Sequence, residues 1–112
     1  MINKFLNSTI TVNGKDISFA YAIREAKEIS GIVFVVLENA SSGKVSEQPC
    51  NNVYAIDCNA QLLWNIKDIL AEDIFYPGIK IDGDNLIVID VIGINHRIDV
   101  SKRTEISKEG VR

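Results

Sequence analysis

Residues 51–64, NNVYAIDCNAQLLW, spell out a strand, a tight polar turn and a returning strand. Strand side chains alternate between faces, so Val53, Ala55 and Asp57 point one way and Tyr54 and Ile56 the other. Cys58 to Gln61 supplies the turn, and the return strand ends on Trp64, the only tryptophan. A second stretch tightens the constraint. Ile32-Val33-Phe34-Val35-Val36-Leu37 is apolar on both faces and rich in β-branched residues, the mark of a central strand buried on both sides.

Hairpin signals fill most of the remaining chain. Thr9–Val12 and Asp16–Phe19 flank Asn13-Gly14-Lys15, and Asn-Gly readily supplies the positive φ values of a tight turn. Ile23 to Ile29 has residues that suit a helix, with Ile23, Ala26 and Ile29 on one stripe. The following Ser30-Gly31 and apolar run favour a strand instead, as the first arm of another hairpin. Glu38 to Asn52, with Ser41-Ser42-Gly43 and Pro49, reads as a long polar loop. Leu62, Ile66, Ile69 and Leu70 have helical spacing, which allows one or two turns of helix over about residues 65–73.

Asp82-Gly83-Asp84-Asn85 is a hairpin turn into Leu86–Val91, a second nearly continuous apolar strand. Gly93 permits a reversal into Ile94–Asp99, and a last short strand spans Thr104–Ser107. Lys108 to Arg112 reads as a polar, frayed tail. The expected fold is mainly β: an antiparallel meander or β-sandwich of blade-like hairpins, one domain over 1–112, with at most one short helix.

Composition narrows the function classes. With 112 residues, 46% hydrophobic and 24% charged, the chain is large enough for a core without staples. Its longest apolar run falls far short of the ~20 residues that a spanning helix needs. The first residues carry one lysine and no long apolar core, so no secretory signal is read there and a cytoplasmic location is the expectation. Cys50 and Cys58, eight positions apart, fit neither a disulfide framework nor a zinc ligand set. The net charge of −3 is unevenly spread. Residues 57–90 hold seven acidic side chains against two basic ones, a balance of −5. That acidic middle argues against nucleic-acid or anionic-membrane partners and suits a basic protein.

Reactive groups are few. His96 is the only histidine, which limits triad and metal-ligand arguments. A Cys50–His96 or Cys58–His96 pair, or paired carboxylates such as Asp68 with Glu72, would be the basis of a small hydrolase. Asp82-Gly83-Asp84-Asn85 lacks the further acidic ligands of a calcium loop. No phosphate loop or nucleophile elbow is present. No catalytic residue, metal or cofactor is therefore assigned.

Ala55-Ile56-Asp57, followed seven residues on by Trp64, has an echo 42 residues later in Arg97-Ile98-Asp99, followed seven residues on by Ile106. The first copy resembles the blade motif of quinoprotein-type (PQQ-repeat) β-propellers, in which an alanine, an aspartate two on, a turn glycine and a closing tryptophan recur. Ala60 stands where that glycine is expected, so Asn59 or another turn type should absorb any left-handed conformation. The second copy lacks the tryptophan. Two units cannot close a ring, so the resemblance implies blade-like meanders and no quinone cofactor.

In size, acidic middle and meander, the chain also resembles small all-β immunity proteins of bacterial contact-dependent growth inhibition systems. The resemblance implies a protein that binds and blocks a basic toxin, a ribonuclease or other nuclease domain, by occluding its active site. On this reading Asp68, Glu72, Asp73, Asp82 and Asp84 form one acidic face, with Phe75 and Tyr76 as exposed apolar anchors. The alternative is a structural or ligand-binding β-module, with the small hydrolase third.

Overall fold

The computed structural model describes residues 2–110, which fold into eleven antiparallel strands. Ile2–Leu6 (β1), Thr9–Val12 (β2) and Lys15–Ser18 (β3) form the first sheet. Ala22–Ile29 (β4), Ile32–Glu38 (β5), Val53–Ile56 (β6) and Leu62–Asn65 (β7) form the second. Gly78–Asp82 (β8), Asn85–Ile89 (β9), Ile94–Asp99 (β10) and Thr104–Gly110 (β11) form the third. Each sheet is a meander, with strands side by side in chain order.

The second sheet is the middle layer, and β5 shows why. Val33, Val35 and Leu37 pack with Ile10, Val12, Ile23 and Ile56 against the first sheet. Phe34 and Val36 pack the other way, with Val53, Ala55, Trp64, Ile79, Leu86, Val88 and Ile98, against the third. Strand alternation thus sends one sequence into two separate cores. β4 is a strand, and the double-sided burial read from Ile32–Leu37 is realised, as is the mainly β fold.

Turn chemistry follows the sequence closely. Asn13 and Gly14 both have positive φ, 50° and 79°, as do Ser30 and Gly31, 49° and 82°. Paired left-handed residues give two-residue hairpins whose twist matches that of their strands. Two differences are instructive. The helical spacing after Trp64 yields only a 3-10 turn, Ile66–Asp68, because Leu62 belongs to β7 and the apolar spacing straddles two elements. And β11 extends to Gly110, with Lys108 opposite His96. Lys108–Gly110 are therefore in a ladder, not a frayed tail, because ladder bonds use the backbone and tolerate a polar sequence. Val111 and Arg112 of that expected tail lie outside the described residues.

The 42-residue echo is a structural recurrence. β6 and β10 are each the third strand of a four-stranded meander. Each carries a register shift at the same place, between Ala55 and Ile56 and between Arg97 and Ile98. The turns that follow are both opened by an aspartate accepting backbone amides: Asp57 from Asn59 and Gln61, Asp99 from Lys102. Ala60 itself takes the left-handed conformation, at φ 59°, where Asn59 or another turn type is expected to absorb it. An αL alanine costs about 1–2 kcal/mol, and here the Asp57 bonds and the burial of Ala60 against the first core offset it. Trp64 is buried, whereas its counterpart Ile106 lies on an edge strand that nothing covers.

Candidate functional site: a buried histidine between two carboxylates

His96 is placed by simple alternation. On β10, His96 and Ile98 face the core, while Asn95, Arg97 and Asp99 face outward and are partly exposed. Asp90 arrives from the β9–β10 turn, which repeats the Asp57 turn almost bond for bond. Its Oδ1 accepts from the backbone amides of Ile92, Gly93 and Ile94 at 2.9, 3.0 and 3.0 Å. Gly93, three residues on, carries the positive φ that Ala60 carries in the first turn. The second oxygen of Asp90 is left to face inward. It lies 2.8 Å from His96 Nε2. Glu105, on β11, lies 2.6 Å from His96 Nδ1.

Both ring nitrogens are thus held by carboxylates, and His96 and Asp90 are almost wholly buried, at 5% and 2% exposure. Burial by itself lowers a histidine pKa, but the hydrogen bonds and charges of Asp90 and Glu105 outweigh it, and the net shift is upward. For Asp90 burial is again the largest influence and raises the pKa. The amides of Ile94 and Ile92 and the imidazole outweigh it, so the carboxyl lies below its usual range. The arrangement is a carboxylate–imidazolium–carboxylate bridge that ties β11 and the β9–β10 turn to β10. It leaves no free imidazole nitrogen to abstract a proton, and neither exposed cysteine, Cys50 or Cys58, partners His96.

A cavity of about 280 Å³ opens beside this bridge, lined by Ile69, Leu70, Ala71, Glu72, Tyr76, His96, Glu105 and Lys108. Tyr76 is held there by Asn52, a buried amide that acts as a clip. Asn52 Nδ2 donates to the carbonyls of Leu37 and Tyr76, and its Oδ1 accepts from the Tyr76 amide, all within 2.7–2.8 Å. The Tyr76 ring meets His96 edge-on, with centroids 6.2 Å apart. Burial, then the charges of Glu72, Asp90, Glu105 and Asp73, pushes the Tyr76 phenol up to about 12.

The expected acidic face is divided. Asp68 caps the 3-10 turn, its Oδ2 accepting from the Asn65 amide. Asp73 accepts from Asn51 at 2.9 Å and pairs with Lys67 at 2.9 Å; the Asn51 bond first, and then Lys67, hold its pKa down. Glu72 is exposed at the cavity mouth. Asp82 and Asp84 sit elsewhere, at the far end of β8 from the segment that carries Glu72 and Asp73. Asp82 pairs there with Arg97 at 2.7 Å, beside a larger cleft between turn tips. Phe75 and Tyr76 are 8% and 1% exposed, so neither is a surface anchor. The segment after the 3-10 turn must close the core between the second and third sheets, and its two aromatic residues are drawn inside to do so.

Sequence patterns do not single out Asp90 or Glu105, and they offer His96 only as a partner for Cys50 or Cys58. One signal was available. An aspartate followed three residues on by a residue able to adopt positive φ marks both Asp57 and Asp90 as turn aspartates. Nothing comparable points to Glu105, which reaches His96 only through the β10–β11 register.

Residues 2–109 match the family model described as Domain of unknown function (DUF7957). The chain belongs to this family. No curated protein matches it. The match spans all three sheets up to the penultimate residue of β11, so the His96 bridge and its cavity lie wholly within the family domain.

Proposed function

We propose that this protein is a binding module that docks a basic protein, in the manner of an immunity protein occluding the phosphate-binding active site of a nuclease toxin. The observation that carries this reading is the cavity beside Tyr76, lined by the carboxylates of Glu72 and Glu105; burial first, and then the charges of Glu72, Asp90, Glu105 and Asp73, raise the Tyr76 phenol. A concentration of negative charge at one end of a rigid β scaffold steers a basic partner and speeds encounter. The locked state of His96 favours binding over catalysis, since a general base needs a free nitrogen. The docking end is narrower than the acidic face expected from sequence, because Asp82 and Asp84 belong to the other end of β8.

The test begins with capture of a basic protein from the native host, followed by its association rate at low and high salt. A rate that falls steeply with salt, and falls again with Glu72→Lys, supports the reading. A rate indifferent to both ends it.

A further inference from the structure

We propose that the cavity beside His96 is a receptor for a lysine side chain. The inference rests on the docking reading above and names the group of the partner that enters.

Tyr76 is 1% exposed and lines the cavity, yet among the described residues its hydroxyl has no hydrogen-bond partner. The hydroxyl oxygen is not among the fully buried unpaired atoms; it opens onto the cavity, where an incoming donor can bond it in place of water. Because the phenol titrates only near 12, the oxygen stays protonated and keeps lone pairs to accept with. Glu72 and Glu105 supply two further acceptors on the same lining. Three acceptors suit an ammonium, which has three donors on one nitrogen, better than the planar fork of a guanidinium. Ile69, Leu70 and Ala71 give the apolar wall along which a four-carbon stem lies.

Charge points the same way. Asp90, Glu105 and Glu72 carry three negative charges, and the His96 imidazolium and Lys108 return two, leaving one for a ligand to neutralise. Lys108 stands on the lining without an ion pair to either glutamate among the described residues. It acts there as a competitor for the incoming cation.

The experiment uses the full chain and N-acetyl-lysine methylamide as the probe, with N-acetyl-norleucine methylamide as the neutral control of like shape. Backbone amide shifts of residues 69–76 and 105–108 are followed by NMR. The lysine probe is expected to give saturable shifts there, and the norleucine probe none. Glu72→Gln and Tyr76→Phe each weaken the site about tenfold, the loss expected of one hydrogen bond to a charged group. Both variants keep a folded spectrum, since Glu72 is exposed and the Tyr76 ring is retained. Lys108→Ala tightens binding severalfold. No saturable shift, equal shifts from norleucine, or indifference to both weakening variants overturns the inference. If a basic protein still docks with a salt-dependent rate while the lysine probe leaves the spectrum unchanged, the receptor is lost and the docking reading stands.

Discussion

His96 Nε2 and Asp90 Oδ2 lie 2.8 Å apart inside the protein, and the Asp90 oxygen that does not touch the ring is held by three backbone amides. One carboxylate therefore both shapes a turn and neutralises a buried imidazolium. Stability should depend on pH through this pair. The His96 pKa is raised above 6.5 in the folded state, so its contribution is complete below about 6.5 and is lost as pH rises through the folded value. Asp90 is lowered from 3.8, so its contribution is complete above about 4 and is lost on acidification. The two describe one bridge and are counted once.

Urea unfolding between about pH 4 and 9 should show a plateau and then an alkaline decline. His96→Gln should remove that decline and cost about 3 kcal/mol near pH 6. This is the low end for breaking a buried pair, because Asp90 keeps its amide donors. An unchanged alkaline limb in the variant would show that the bridge is not the titrating element.

Asn52 joins the second sheet to the segment that carries Tyr76. Asn52→Ala leaves the Tyr76 amide and two carbonyls without this partner, at a cost of about 2–4 kcal/mol in unfolding free energy, read by urea titration. Hydrogen exchange at Val91, whose amide donates to the Phe75 carbonyl, should quicken at the same time.

The outer edge of β8 is closed by side chains of β4. Glu25 accepts from the Ile79 amide at 2.7 Å, and Lys27 donates to the Ile79 carbonyl at 3.2 Å. Glu25→Ala should cost about 1–3 kcal/mol and, by uncovering the edge, shift size-exclusion elution toward larger species. Glu25→Gln keeps the acceptor and should be nearly silent in both measurements.

For docking, Glu72→Lys is the cleanest charge reversal, because the exposed Glu72 makes no structural bond among the described residues. Asp68→Lys removes the cap on the 3-10 turn as well and should lower stability by about 1 kcal/mol, read as a drop in melting temperature. A docking defect from Glu72→Lys at unchanged melting temperature would separate the two roles.

Much of the fold was legible because strand periodicity is local. Ile32–Leu37 could be read as doubly buried from composition alone, and Asn13-Gly14 and Ser30-Gly31 named their own turns. The site was not legible in that way. Alternation puts His96 on the same face as Ile98, but whether that face is covered depends on which layer stacks against it.

The sequence by itself determined the strands, most of the turns and the two-faced character of the middle sheet, since each rests on neighbours within a few residues. Only the tertiary structure decided that His96 is locked between Asp90 and Glu105, that Phe75 and Tyr76 turn inward, and that Asp82 and Asp84 stand apart from Glu72. The reason is that pairing register and layer stacking bring together residues far apart in the chain, and no local pattern encodes which carboxylate a buried charge will meet.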